Sequence, residues 1–128
     1  MEPDVTPEAA IYQFMSSFGI PAYPASSVPS DATFPYLTYD LAIGEFLEPE
    51  VNMPVNVWYR TESEAAPNAK VREMFTRIGL GGVTIRCDNG LIWVKRGSPW
   101  AQAMNVEGED EMVKRRYVNI NLEYLITE

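Results

Sequence analysis

The sequence predicts a single α+β domain, residues 1–128, in which two helices pack on a mostly antiparallel sheet of four to five strands. Several segments alternate apolar and polar residues with the period of two that is typical of strands. Two other segments repeat apolar residues at helical spacing. An asparagine–glycine pair between two alternating segments indicates a tight hairpin. Taken along the chain, these signals give the order α-β-β-α-β-β-β.

The first helix is predicted to begin at Thr6-Pro7-Glu8, where a hydroxyl can cap the first turn and proline suits the first helical position. Gly19 is expected to end it in a left-handed conformation. Its apolar stripe, at i, i+3, i+4 and i+7, consists of Ile11, Phe14, Met15 and Phe18. Such a stripe ordinarily faces the core, and docking to a membrane or a partner is the alternative.

Residues 34–60 hold two alternating segments joined by an acidic, turn-rich middle. The predicted core face of the first is Leu37, Tyr39, Leu41 and Ile43, and that of the second is Val51, Met53, Val55, Val57 and Tyr59. Pro54 lacks a ladder donor, so that end of the second strand is expected to be an edge or a bulge. The loop between them is expected to expose Phe46 and Leu47, which makes this pair a contact candidate.

The second half of the chain gives one helix and three strands. The helix is predicted to follow Ser63, to end at Gly79 and to bury the stripe Val71, Met74, Phe75 and Ile78. Asn89-Gly90 is the predicted tip of a hairpin whose strands span about residues 83–95. Residues 97–111 are predicted to be a long loop, poorly ordered in an isolated subunit. The last strand is expected to bury Val118, Ile120, Leu122, Tyr124 and Ile126.

Charge and composition narrow the class of protein. The net charge is −8, and residues 1–60 carry eight acidic side chains against a single arginine. A surface this acidic disfavours sequence-independent binding to a phosphate backbone, and no sequence-specific nucleic acid partner is expected. No apolar run is long enough to span a bilayer, and residues 1–6 lack the regions of a signal peptide. The lone Cys87 fits a reducing cytoplasm.

Catalytic patterns are not evident in this sequence. There is no histidine, which is the commonest general base and the usual zinc ligand. Cys87 has no predicted base beside it, and the glycines at 79, 81 and 82 follow a helix where a phosphate loop would precede one. The acidic run Glu107, Glu109, Asp110 and Glu111 lacks the spacing of a calcium loop. We therefore expect no enzyme activity, cofactor or metal; a solvated or interfacial acidic loop is favoured over a cation site.

Several short segments carry a family resemblance through their order and spacing along residues 11–125. They are Phe34–Tyr39, Val57–Arg60, Gly81–Val83, Ile92–Pro99 with Gln102 and Met104, and Arg116-Tyr117 with Leu122 and Tyr124-Leu125. In these segments the chain resembles the small tail proteins of long-tailed bacteriophages and prophages, of the tail terminator (tail completion) type. Head–tail joining and minor tail proteins share this size and fold, so they remain open.

The resemblance implies an α+β virion structural protein that assembles as a ring, usually six-fold, and caps the tail tube where the head will join. Its implied partners are further copies of itself, the tail tube protein and the head–tail connector proteins, with no membrane. Its implied location is the host cytoplasm during assembly and then the virion tail. The family supplies no catalytic residues. The alternative class is a small cytosolic binding module or an enzyme of unknown ligand.

We expect the assembly contacts to use aromatic anchors and the charged runs. The aromatic and apolar candidates are Phe46, Leu47, Trp93, Trp100 and Tyr117. The basic candidates are Lys95, Arg96, Lys114, Arg115 and Arg116, and the acidic ones are Glu107, Glu109, Asp110 and Glu111. A basic run meeting the acidic run of a neighbour would give a head-to-tail contact. The alternative is that both runs are solvated faces of a monomer.

Overall fold

The computed structural model describes residues 5–44, 48–108 and 110–126. Within these ranges the helices are α1 (Pro7–Ser16) and α2 (Ala65–Ile78), and a 3₁₀ turn lies at Ala25–Ser27. The strands are β1 (Ala22–Pro24), β2 (Tyr36–Tyr39), β3 (Val51–Arg60), β4 (Val83–Cys87), β5 (Gly90–Met104) and β6 (Val113–Ile126). They form a sheet in the order β1-β2-β3-β6-β5-β4, with β1 and β2 parallel and every other pair antiparallel.

The predicted sheet of four to five strands in the order α-β-β-α-β-β-β is wrong. The described residues form a six-stranded mixed sheet that curls into a half-barrel. The sixth strand is β1, which precedes β2 and pairs with it in parallel. The extra strand has three residues in a proline-rich connector, too short for any alternation to show in the sequence. It is held by pairing of Ala22 with Leu37, whose N–H donates to the carbonyl oxygen of Pro21 at 2.9 Å. Helix α1 contacts both edge strands, β1 and β4.

Both helices contribute to one core on a single face of the sheet, as the stripes predict. The Thr6 hydroxyl caps α1 by accepting from the N–H of Ala9 at 3.1 Å. The buried core is formed by Ile11, Met15, Phe18, Leu37, Tyr39, Met53, Val55, Val57, Met74, Ile78, Ile92, Val94, Val118, Ile120, Leu122 and Tyr124. Phe75 departs from its predicted stripe, since 40% of it is exposed. Neither helix is long and apolar enough to cross a bilayer.

The end of β2 differs from the prediction. The strand stops at Tyr39, and the expected core residues Leu41 and Ile43 are 37% and 62% exposed. β3 is a central strand, but β2 pairs only with its residues 55–58, so the end that holds Pro54 has no strand partner on that side among the described residues, as expected. The carbonyl oxygen of Pro54 accepts from the N–H of Asp40 at 2.9 Å, but proline offers no N–H in return. The ladder between β2 and β3 therefore ends beside this proline.

The predicted loop at 97–111 begins later than expected, because strand continues to Met104 and the connection to β6 follows it. β5 continues through a bulge between Arg96 and Ala101 and stays paired with β6 as far as Met104. A Cβ on Gly97 would lie 2.7 Å from the Cβ of Asn119, so only glycine fits where β5 passes so close to β6. Gly97, Ser98 and Pro99, which would be expected to end a strand, lie in this bulge, and the strand continues after them.

The hairpin is confirmed, with its tip shifted by one residue. Cys87 pairs with Gly90, so the two residues at the tip are Asp88 and Asn89 instead of Asn89 and Gly90. Gly90 has φ of 152° as the first residue of β5, and the side-chain oxygen of Asn89 lies 3.6 Å from the Cys87 sulfur. Asn89 thus lies in the turn as expected, whereas Gly90 directly follows it.

Candidate functional site

The face of the sheet opposite the helices, here called the open face, carries a row of large side chains at one end. The row crosses four strands, because Tyr36 pairs with Trp58, Trp58 with Arg115, and Arg115 with Met104. The Tyr36 and Trp58 rings stack with centroids 6.4 Å apart, and the guanidinium carbon of Arg115 lies 5.4 Å from the Trp58 ring. Phe34 extends the row, with its ring centroid 5.4 Å from that of Tyr36. We call these five residues the aromatic row.

Hydrogen bonds hold the centre of the aromatic row in place. The indole N–H of Trp58 donates to the hydroxyl of Thr38 at 3.1 Å, and Nε of Arg115 donates to the side-chain oxygen of Asn56 at 2.7 Å. At its two ends the row is exposed, with Phe34 at 37% and Met104 at 38%. Aromatic rings, methionine and arginine are the residues that protein interfaces favour at their centres.

Asparagines occupy the middle of the open face. The side-chain amide of Asn52 donates to the side-chain oxygen of Asn121 at 3.1 Å, and that of Asn121 donates to Glu50 at 3.2 Å. The amide of Asn119 donates to the carbonyl oxygen of Pro99 at 2.8 Å, beside the bulge in β5. These polar groups bond to one another along the sheet and stiffen it between its two ends.

Lys95 and Trp93 lie at the other end of the open face. The Lys95 ammonium is 2.5 Å from a carboxylate oxygen of Glu50 and 3.0 Å from one of Glu123, and it sits 4.2 Å from the centre of the Trp93 ring. The hydrogen bond from Lys95 lowers the pKa of the Glu50 carboxyl, and the same bond raises the pKa of Lys95. Trp93 Nε1 donates to the carbonyl oxygen of Gly81 at 2.8 Å. Both predicted interface residues therefore have partners within the chain.

Arg96 and Trp100 lie on the other face, against α2. The guanidinium carbon of Arg96 is 3.8 Å from the centre of the Phe75 ring, and the Trp100 ring meets Phe75 edge-on at 5.7 Å. Trp100 Nε1 donates to the carbonyl oxygen of Val71 at 3.0 Å. A cleft of about 310 Å³ opens beside Phe75 and Trp100 and is also lined by Asn68, Val71 and Arg72. We call it the α2 cleft.

The three consecutive cations at 114–116 have different surroundings, because neighbouring strand residues face opposite sides. Arg116 was predicted at an interface, but it is buried: its guanidinium lies 2.5 Å from Glu64 and 3.0 Å from the side-chain oxygen of Asn68. Arg115 belongs to the open face, and Lys114 donates to the carbonyl oxygen of Glu111 at 2.7 Å. The basic run is therefore not one continuous patch.

The acidic run lies in the connection between β5 and β6. Glu107, Asp110 and Glu111 are exposed there, and the hydrogen bond from Arg60 at 2.8 Å lowers the pKa of the Asp110 carboxyl. Tyr117 is half-buried on the open face, opposite Gln102. The predicted contact residues Phe46, Leu47 and Glu109 lie outside the described residues. Among those that are described, no group of three His, Cys, Asp or Glu side chains is placed to hold a metal ion.

Sequence reasoning selected Arg115 of the aromatic row and Trp100 of the α2 cleft as contact candidates, but not the residues that surround them. Tyr36 and Trp58 stand in the alternating segments, and their place opposite the core face is the signal that could have marked them as surface aromatics. Which strands lie side by side, and so which surface residues touch, is decided by the sheet order. Phe75 was assigned to the core because it continues an apolar stripe.

Comparisons of this chain with protein-family models, with curated proteins and with solved structures find no match.

Proposed function

We propose that this chain is a non-enzymatic assembly subunit of a phage or prophage tail, of the tail terminator kind. Copies of it form a ring that caps the tail tube in the host cytoplasm and remains in the virion tail, where it offers the surface for head joining. The open face of each subunit docks on the end of the tube. The order and spacing of the sequence segments that carry the family resemblance support this choice of class. The aromatic row supports docking.

The aromatic row is the single observation on which docking rests. It combines stacked rings, an arginine held over one of them and exposed apolar ends, all on a hydrogen-bonded sheet. Side chains fixed in this way lose little conformational freedom on binding, so more of the contact energy appears as affinity. Interfaces also draw most of their energy from such aromatic and arginine residues. A prearranged surface of this composition, spread over four strands, suits a protein partner better than a small ligand.

The charge of the chain suits the same role. With a net charge of −8, a ring of several copies would repel the phosphate backbone instead of binding it. DNA could then pass through the ring without being retained by it.

The test uses tail tubes from the phage or prophage that encodes the chain. Gold-labelled protein is mixed with the tubes and located by electron microscopy; we expect label at one end of each tube and rings at that end. The double variant Phe34→Ser/Met104→Ser should lower end occupancy at least tenfold. Leu91→Ser is the matched control, since Leu91 is on the same face, is 37% exposed and lies at the opposite end of the sheet. Absence of wild-type label from tube ends would refute the proposal.

A further inference from the structure

We infer that the α2 cleft of one subunit receives the segment 40–44 of the next subunit. This inference rests on the proposed ring and names the contact that builds it. Segment 40–44 follows β2, and its described neighbour Glu48 stands on the way to β3. The contact is argued from three features: the chemistry of the cleft, the chemistry of the segment, and their separation within one subunit.

The cleft offers apolar surface next to free positive charge. Phe75 is 40% exposed at its wall. Arg72 is exposed and has no hydrogen-bond or ion-pair partner within the described part of the chain. Arg96 stacks on Phe75, and it is not paired with any carboxylate in the described part of the chain. Positive charge without a paired carboxylate beside an exposed aromatic ring selects an occupant that is both apolar and acidic.

Segment 40–44 has the complementary chemistry. Within the segment Ile43 is 62% exposed, Leu41 is 37% exposed and the side chain of Asp40 is exposed without a described partner. Glu48, beyond the segment, is exposed in the same way. The apolar pair matches the Phe75 wall, and the carboxylates match the arginines. A second copy of this chain is therefore a fitting occupant, and the local attraction between these carboxylates and the cleft cation has to outweigh the repulsion between two chains of net charge −8.

The segment is also anchored to the sheet by its backbone. The N–H of Asp40 donates to Pro54 at 2.9 Å, and the hydroxyl of Tyr124 donates to the carbonyl oxygen of Ala42. A Cβ on Gly44 would lie 3.0 Å from the Tyr124 ring, which shows how closely the segment approaches it. With its backbone tied down, the segment presents Leu41 and Ile43 outward in a fixed arrangement and loses less freedom on binding.

The cleft and the segment are separate on the subunit. The segment reaches β6 at Tyr124, whereas the cleft lies beside Trp100, whose neighbour Ala101 pairs with Val118 further back along β6. A contact between two different surfaces is heterologous, so each subunit uses its cleft on one neighbour and its segment on the other. Contacts of this kind close into rings when the rotation permits.

The experiment breaks each side separately. Arg72→Glu reverses the charge at the cleft, and Ile43→Ser removes an apolar side chain from the segment. Both side chains are exposed, so neither change should disturb folding. Leu80→Ser is the matched control, because Leu80 is 95% exposed and belongs to neither surface. Association is followed by sedimentation velocity over a range of concentrations, and circular dichroism melts verify folding. Where the wild type is monomeric in solution, ring occupancy at tube ends is the readout.

We expect each of the two variants to need at least tenfold more protein than the wild type to associate, and the control to need no more. An equimolar mixture of Arg72→Glu and Ile43→Ser should form dimers that grow no further, since one intact cleft and one intact segment meet in each pair. If the wild type forms rings and the variants do so equally well, this contact is wrong and the proposed function stands. If the wild type associates in solution but the mixture stays monomeric, the contact is also wrong. If the wild type neither associates nor occupies tube ends, the proposed function fails with it.

Discussion

Gly82 is the position at which adding one methyl group should be most damaging. It precedes β4 with φ of 76°, a conformation that costs a side-chain-bearing residue about 1–2 kcal/mol. A Cβ there would lie 2.5 Å from the carbonyl oxygen of Val94 and 2.7 Å from Nε1 of Trp93. Overpacking against backbone costs about 1–3 kcal/mol more. We therefore expect Gly82→Ala to lower the free energy of unfolding by about 2–5 kcal/mol.

Thermal melting of Gly82→Ala beside Gly81→Ala tests this reasoning. For a chain of this length, 1 kcal/mol corresponds to about 4 °C, so Gly82→Ala should melt about 8–20 °C below the wild type. A Cβ on Gly81 meets nothing within 4 Å, so Gly81→Ala should melt at the wild-type temperature or slightly above it. If Gly82→Ala melts within about 3 °C of the wild type, the close approach of this turn to β5 is refuted, and with it the anchoring of Trp93.

Three further predictions concern stability. Arg116→Glu buries a carboxylate without a counter-charge and should lower the free energy of unfolding by about 3 kcal/mol or more; Arg115→Glu, on the open face, should melt well above it, and equal melting would contradict the burial of Arg116. Thr6→Ala removes the cap of α1 and should lower the free energy of unfolding, measured by urea titration, by about 1 kcal/mol. An unchanged free energy would mean that the cap does not stabilise the helix. Burial raises the pKa of Tyr124 to about 12, above its ordinary value of 10. The stability that this raised pKa provides is complete below pH 10 and is lost as pH rises towards 12, by about 3 kcal/mol at most. Tyr124→Phe should therefore flatten the decline of the free energy of unfolding with pH, measured by urea titrations. An unchanged decline would contradict the raised pKa.

The sequence by itself determined the features that depend on neighbours along the chain. The cap at Thr6 needs only a hydroxyl three residues before an amide, and the hairpin after β4 needs only a turn between two alternating segments. The alternation in β3 and β6 assigned Met53, Val118 and their equivalents to the core, because the period of two belongs to any extended strand. These signals fixed the α+β character and the face that the helices cover.

Only the tertiary structure decided which segments lie side by side. β1 exists because Ala22 finds a parallel neighbour in β2, and β5 passes Gly97 and the bulge because β6 continues to pair with it. The same holds for the candidate sites. Arg115 joins Trp58 from a distant part of the chain, and Arg116, one residue on, is buried. Sequence periodicity gives the direction of each side chain, but the partner that it meets depends on the order of strands in the sheet, which no local pattern encodes.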